Sequence, residues 1–319
     1  MKVIVTGAAG FLGSRIADAL LSESSPIKVT DLILTDVQAP QKRQDARVVT
    51  LALDLTSSSA ASHLIGSGCD VFFHLAAVVS GLSEADFDFG MKANLDATRS
   101  LLEVLRKKSP TAIFIFTSSV GVFGGNLPPV IDDLTAVMPP TSYGTAKAMC
   151  ELLVNDYGRR GFVDGRSVRL PTVSVRPGAP NTAVTSFASG IIREPLNGIA
   201  SICPVPPEQE MWLSSPNTVV RNIIHAATLP NTVFGPWRTV NLPGITVSVG
   251  AMVEALKTVA GDKVASLVSY KRDERLARIN AIVPSKFDNT HALKLGFFVD
   301  SNYEDVIRMY IRDDLKKSK

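Results

Sequence analysis

Val3-Ile4-Val5-Thr6-Gly7-Ala8-Ala9-Gly10-Phe11-Leu12-Gly13 is the stretch on which the fold turns. It begins with a short run rich in apolar residues. Three glycines follow at three-residue spacing, and Leu12, Ile16 and Leu20 then recur every four residues. That pattern reads as strand, turn and helix. Glycines at 7, 10 and 13 let the backbone turn sharply and lie close to a pyrophosphate. The amides there, those of Phe11 and Leu12 included, and the positive end of the helix supply donors to such an anion. The spacing is Gly-x-x-Gly-x-x-Gly rather than the commoner Gly-x-Gly-x-x-Gly. Taken alone, the glycines leave an ordinary turn as a rival reading.

Working outward, the same alternation repeats. Apolar runs at Leu32–Thr35, Val48–Leu53, Val71–Leu75 and Ile113–Thr117 are apolar on both faces, as strands covered by helices should be. Leu95, Thr98, Leu102 and Leu105 mark a helix before the last of these. Repeated strand–helix–strand units predict right-handed crossovers and an α/β, doubly wound parallel sheet. Further on, Val168–Val175 reads as a sixth strand, Arg238–Leu242 as a late strand and Val249–Leu256 as a helix. Pro204, Pro206 and Pro207 break regular structure around them, and the charged tail from Asp313 to Lys319 is expected to fray.

Composition bounds the function. Of 319 residues, 45% are hydrophobic and 20% charged, which excludes a disordered chain. Lys and Arg total 33 against 30 Asp and Glu, a net charge of +3, too balanced to argue for a nucleic-acid partner. A mean hydropathy of +0.19 fits several buried strands. No apolar window is long enough for a membrane span, and the first residues read as a strand rather than a signal peptide. Cys69, Cys150 and Cys203 are odd in number and widely spaced, so reduced thiols and a cytoplasmic protein are expected. His63, His74, His225 and His291 form no metal-spaced pair, and no metal is expected. A Gly-x-Ser-x-Gly elbow and a Walker lysine are both missing.

Asp36 closes the second run, 23 residues beyond Gly13. An acid there accepts from both adenosine ribose hydroxyls and repels a 2′-phosphate, which favours NAD over NADP. Lys42 and Arg43 lie nearby in sequence and would suit a phosphate instead. Asp54-Leu55 follows the third run and would flank the adenine, and Leu75-Ala76-Ala77 follows the fourth and would lie beside the pyrophosphate. Both are equally typical of plain strand ends.

Tyr143 and Lys147 stand at i and i+4 in Ser142-Tyr143-Gly144-Thr145-Ala146-Lys147, after the capping candidates Thr141 and Ser142. On a helix they share one face. A neighbouring ammonium and a cationic nicotinamide lower the pKa of a phenol, so that Tyr143 can take a proton from an alcohol. Phe116-Thr117-Ser118-Ser119 ends the fifth strand, 24 residues before Tyr143 at Ser119. A serine hydroxyl there steadies the substrate oxygen, with Ser119 preferred over Ser118.

Gly7-x-x-Gly10-x-x-Gly13, His74-Leu75-Ala76-Ala77, Asn94-Leu95-Asp96-Ala97-Thr98, Thr117-Ser118-Ser119 and Tyr143-x-x-x-Lys147 follow one another in the order seen in extended short-chain dehydrogenases/reductases. The resemblance covers about residues 1–180. It implies a Rossmann-like domain, 1–177 plus about 213–250, and a smaller discontinuous substrate domain, about 178–212 plus 251–319. Tyr143 is then the acid/base with Lys147 and Ser119 as partners, and Asn94 supports the active-site helix or a proton relay. The implied NAD-contacting set is Gly7, Gly10, Phe11, Leu12, Gly13, Asp36, Asp54, Leu55, Leu75, Ala76, Ala77, Asn94, Tyr143, Lys147 and Pro171. The implied substrate set is Ser80, Ser119, Tyr143, Arg176 and Arg193. A homodimer built on the helices near Asn94 and Tyr143 is also implied.

Departures from the family narrow the chemistry. Val120-Gly121 stand where dehydratases of this family carry an Asp-Glu pair, which argues against dehydration. Phe123 replaces the usual tyrosine before Gly124. The stretch Arg169 to Asn181, with Phe187 to Arg193 after it, resembles a branch that oxidises a four-carbon sugar acid at C2 with NAD. A carboxylate substrate wants a guanidinium, and Arg176 and Arg193 are placed to offer one. Two rivals share the motifs or the fold: a nucleotide-sugar epimerase that returns the hydride to its substrate, and a non-enzymatic dinucleotide sensor. The tyrosine/lysine pair argues against the sensor.

Overall fold

The computed structural model describes residues 1–179 and 183–315. Its first compact unit comprises Met1–Val122, Thr141–Arg169 and Val220–Val240. At its centre is a seven-stranded sheet. Six strands are β1 (Lys2–Thr6), β2 (Asp31–Asp36), β3 (Val48–Ala52), β4 (Val71–His74), β5 (Ile113–Ser119) and β6 (Asp164–Leu170); the seventh is Thr239–Asn241. The order across the sheet is Thr239–Asn241, β6, β5, β4, β1, β2, β3. β1 pairs in parallel with β2 (Val3 opposite Leu32) and with β4 (Val3 opposite Val71), and β4 pairs in parallel with β5. The chain winds outward from β1 on one side, then restarts at β4 on the other. The C-terminal ends of β1 and β4 therefore flank the switch point where a doubly wound sheet opens a ligand crevice.

The helices of this unit include α1 (Phe11–Leu21), α2 (Ala60–Ile65), α3 (Ser80–Ala85), α4 (Phe87–Met91), α5 (Ala97–Lys108) and α6 (Ser142–Arg159), and from Val220 onward the helix Pro216–Thr228. One π-helical turn, Lys92–Asp96, leads into α5. Ile4, Phe72, Phe114 and Phe116 of the sheet pack with Leu101, Leu102 and Leu105 of α5 and Cys150 and Val154 of α6. α6 starts where a cap allows it: the Thr141 hydroxyl accepts the Gly144 amide at 3.0 Å.

Several elements differ from the sequence expectation. The sixth strand runs Asp164–Leu170, not Val168–Val175. Arg166 and Arg169 disguise it as a polar stretch, yet both are buried, paired with Asp164 and Glu151. Pro171 interrupts the run, and Thr172–Val173 joins a separate three-stranded sheet with Glu210–Ser214 and Ile245–Ser248. β3 is not covered on both faces, because it is the sheet edge and Val49 is 61% exposed. The expected helix at Val249–Leu256 extends to Ala260. The tail from Lys316 onward and Pro180-Asn181 of the sugar-acid-like stretch lie outside the described residues.

The second unit comprises Phe123–Pro140, Leu170–Val219 and Asn241–Lys319. It has its own core, in which Ile191 and Ile192 pack with Met211, Leu213, Met252, Leu256, Val306 and Ile307. Its buried Asp300 carboxylate accepts from the Ser214, Ser215 and Thr218 hydroxyls and the Ser215 amide. These unit boundaries differ from those implied by resemblance at 123–140, 170–177, 213–219 and 241–250. At 172–173 and 213–214 the reason is strand pairing of the one segment with the other. No helix among the described residues is long and apolar enough to cross a membrane.

Candidate active site

The glycine turn is built for contact without side chains. Gly7 has φ +71°, and a Cβ there would stand 2.7 Å from the Ala76 amide nitrogen. A Cβ on Gly13 would meet the Gly7 carbonyl oxygen at 2.2 Å. The first and third glycines thus let the turn close on β4 and α1 on itself. Gly10 caps α1 without any side-chain acceptor, and the first turn holds no acidic residue. The leading amides of α1, those of Phe11 and Leu12, are left for an anion from outside. That donor set, beside Leu75 and Ala76, fits a dinucleotide pyrophosphate.

Asp36, at the end of β2, accepts the Ala9 amide on Oδ2 at 3.1 Å and the Val37 amide on Oδ1 at 2.7 Å. Each oxygen keeps a lone pair for a ribose hydroxyl. Arg43, the rival candidate for a 2′-phosphate, is committed elsewhere: it donates to Asp18 at 2.9 Å and to the Ser14 carbonyl and hydroxyl.

At the end of β5 the two serines part. Ser118 is buried and donates to Glu151 at 2.5 Å. Ser119 is partly exposed, accepts the Gly121 amide at 3.1 Å and hydrogen-bonds Tyr143. Lys147, buried beneath, donates to the Thr117 carbonyl at 2.8 Å and lies 4.5 Å from the Phe116 ring centre and 5.8 Å from that of Tyr143. Three consecutive residues of β5 are therefore keyed to three rungs of α6. Burial pushes the Tyr143 phenol above its ordinary pKa, and the Ser119 hydrogen bond works against that shift. Burial also lowers the Lys147 ammonium to about 8, partly offset by Cys150 and Glu151. The ammonium is aimed at the Thr117 carbonyl, so the phenol gains less from it than the i, i+4 spacing alone implies.

Other expected residues fall in different settings. Asn94 is buried: its Oδ1 accepts the Val78 amide at 2.8 Å, and its Nδ2 donates to the Val78 carbonyl and Ser83. It pins the segment after Leu75-Ala76-Ala77, and its amide is spent there rather than offered to a cofactor. Asp54 is exposed and caps its own turn by accepting the Thr56 amide, which holds its carboxyl below the usual range; Leu55 follows it, partly exposed. Ser80 opens α3 and is partly exposed. Pro171, Arg176 and Arg193 belong to the second unit. There Arg193 donates to the Arg176 carbonyl at 2.8 Å and pairs with Glu194, whereas the half-buried Arg176 guanidinium has no partner among the described residues.

Sequence reasoning missed the layer beneath. His74 bridges Thr6 (2.7 Å) and Thr98 (3.0 Å), and Thr98 donates to the Asn94 carbonyl, which also accepts the Cys150 thiol. Burial keeps this imidazole neutral, its pKa lowered to about 3. Glu151 continues the Tyr143, Lys147 spacing by one more turn, which was the only signal available for it.

A glycine turn with open helix amides, an acid at the end of β2 and a Ser-Tyr-Lys cluster are carried by one sheet, and the model of the NAD dependent epimerase/dehydratase family matches residues 3–226. The chain belongs to that family. It is an NAD-dependent enzyme of the extended short-chain dehydrogenase/reductase type. Two relatives, from Haemophilus influenzae and Cupriavidus necator, are each 49% identical; they cover 99% and 98% of this chain and 100% and 98% of their own. Both are named D-erythronate dehydrogenase. A solved structure described as a nucleoside-diphosphate-sugar epimerase from Agrobacterium tumefaciens superposes with a TM-score of 0.95 at 40% identity, covering 99% of this chain and 95% of its own. The L-threonine 3-dehydrogenase of Trypanosoma brucei shares the fold, with a TM-score of 0.87 at 24% identity.

Proposed function

We propose that this protein oxidises the C2 hydroxyl of D-erythronate to the 2-oxo acid, with NAD as the oxidant and Tyr143 as general base. The observation that carries the reading is the cluster of Ser119 at the end of β5 with Tyr143 and, one turn along α6, Lys147. The full-length likeness to two proteins named for that substrate supports the choice of acid. Ser119 orients the substrate hydroxyl, and Tyr143 takes its proton. Lys147 holds positive charge behind the ring and favours the phenolate. When bound, NAD accepts the hydride. The Phe11 and Leu12 amides hold its pyrophosphate and Asp36 its adenosine ribose.

Arg176 takes the substrate carboxylate, and Arg193 places Arg176 by holding its carbonyl. Arg176→Ala is expected to raise KM for the acid roughly 10- to 100-fold, the loss of a charge-assisted pair. An unchanged KM removes the clamp. The decisive assay follows absorbance of NADH with D-erythronate and with UDP-sugars. Net NADH with the acid alone supports the dehydrogenase. Turnover of a UDP-sugar without net NADH supports instead an epimerase, the reading favoured by the described Agrobacterium relative.

Exposed Met149 and Leu152 on α6, with Phe87 and Phe89 near it in the same unit, support a homodimer through this face. Light scattering gives its mass. Three free thiols suit a reducing compartment, and we assign the protein to the cytoplasm.

A further inference from the structure

We propose that Glu151 is a positioning residue: through Ser118 and Arg169 it locks the end of β5 to α6, and its charge keeps the Lys147 ammonium in place. The inference rests on the catalytic reading of Tyr143 and Lys147 above. Glu151 is 1% exposed, so its charge demands partners. Oε1 accepts the Ser118 hydroxyl at 2.5 Å and Arg169 Nε at 2.9 Å; Oε2 accepts Arg169 Nη2 at 2.8 Å. Arg169 comes from β6, so one carboxylate joins β5, β6 and α6.

Position gives this network a function beyond packing. Ser118 lies between Thr117, whose carbonyl receives the Lys147 ammonium, and Ser119, whose hydroxyl meets Tyr143. A shift of the Ser118 side chain moves both neighbours together. Lys147 is faced by Tyr143, Cys150 and Glu151 on its own helix and by His74 on β4. Burial holds the Cys150 thiol protonated, its pKa raised to about 11, and holds the His74 imidazole neutral. Arg169 on β6 is positive. Asp96 of the π-helical turn acts on Cys150, and Glu151 is the carboxylate that acts on Lys147 itself. Without it, Arg169 loses the carboxylate that receives its Nε and Nη2.

The test uses the full chain with saturating NAD and the acid substrate. Glu151→Gln keeps the shape and an acceptor but removes the charge. The expected result is kcat lower by about 10-fold, KM for NAD little changed, and the alkaline limb of the kcat–pH profile moved about one pH unit lower, as Lys147 gives up its proton earlier. Loss of packing alone lowers Tm without moving that limb. A Glu151→Gln enzyme with the parental profile and kcat overturns the proposal. If that variant does not fold, Ser118→Ala decides: both charges stay, and kcat is expected to fall about threefold or more with Tm within a few degrees. An unchanged kcat for Ser118→Ala overturns it equally. Tyr143→Phe in the same assay separates the two failures. If it stays active, the catalytic reading has failed; if it is inactive while Glu151→Gln behaves as the parent, only the positioning role has.

Discussion

At the scale of single residues, the site combines a phenol that burial makes a weaker acid with groups that reverse that effect. The Ser119 hydrogen bond is the lowering influence already present. In the proposed reaction the rest comes from positive charge, of which Lys147 is the protein's share. Tyr143→Phe is therefore expected to lower kcat by about 10²–10⁴-fold while leaving NAD binding and Tm nearly unchanged, measured by steady-state kinetics and calorimetry. Asp36 makes a second residue-level case. Asp36→Ala frees the Ala9 amide and removes the ribose acceptor, so KM for NAD rises by about 10-fold or more, and the preference over NADP narrows in a side-by-side titration. An Asp36→Ala enzyme with parental discrimination excludes this residue as the selector.

At the scale of elements, the decisive object is α6. Its register is set by the Thr141 cap, and from that start Tyr143, Lys147 and Glu151 fall one turn apart against Ser119, Thr117 and Ser118 of β5. Thr141→Ala is expected to cost about 1 kcal/mol in urea unfolding. α1 shows the converse device, a helix start with no side-chain cap. A cap supplied by Gly10→Asp would bring an acid to the pyrophosphate site, so NAD affinity should fall more than stability does.

At the scale of the whole molecule, His74 links stability to pH. It folds with a pKa near 3, against 6.5 for an ordinary imidazole. Below about pH 6.5 the unfolded chain gains a proton that the folded chain refuses. This contribution is fully present above that pH and is lost as pH falls toward 3, at up to about 1.4 kcal/mol per pH unit. Urea midpoints at pH 6 and 4.5 should converge in His74→Gln relative to the parent; an unchanged difference rejects this source. NAD acts in the opposite sense. At about 100 times its Kd it should stabilise the fold by roughly 2.7 kcal/mol, read as a rise in Tm that Asp36→Ala diminishes.

Much of this was legible in the chain itself. The glycine turn, the apolar runs of β1, β2, β4 and β5, Asp36, Ser119 and the Tyr143/Lys147 pair are local patterns, fixed by backbone geometry and by spacing along one strand or helix. What escaped depends on partners distant in sequence. β6 reads as polar because Arg166 and Arg169 are neutralised only by folding, Arg169 by a glutamate 18 residues away. The neutrality of His74 follows from its burial among segments distant in sequence, with Lys147 from α6 adding to it. Which of Ser118 and Ser119, and which of Arg176 and Arg193, is engaged by another segment likewise depends on the folded chain. Periodicity specifies which elements form and which face they bury, whereas desolvation and charge pairing depend on three-dimensional neighbours, and these only the tertiary structure supplies.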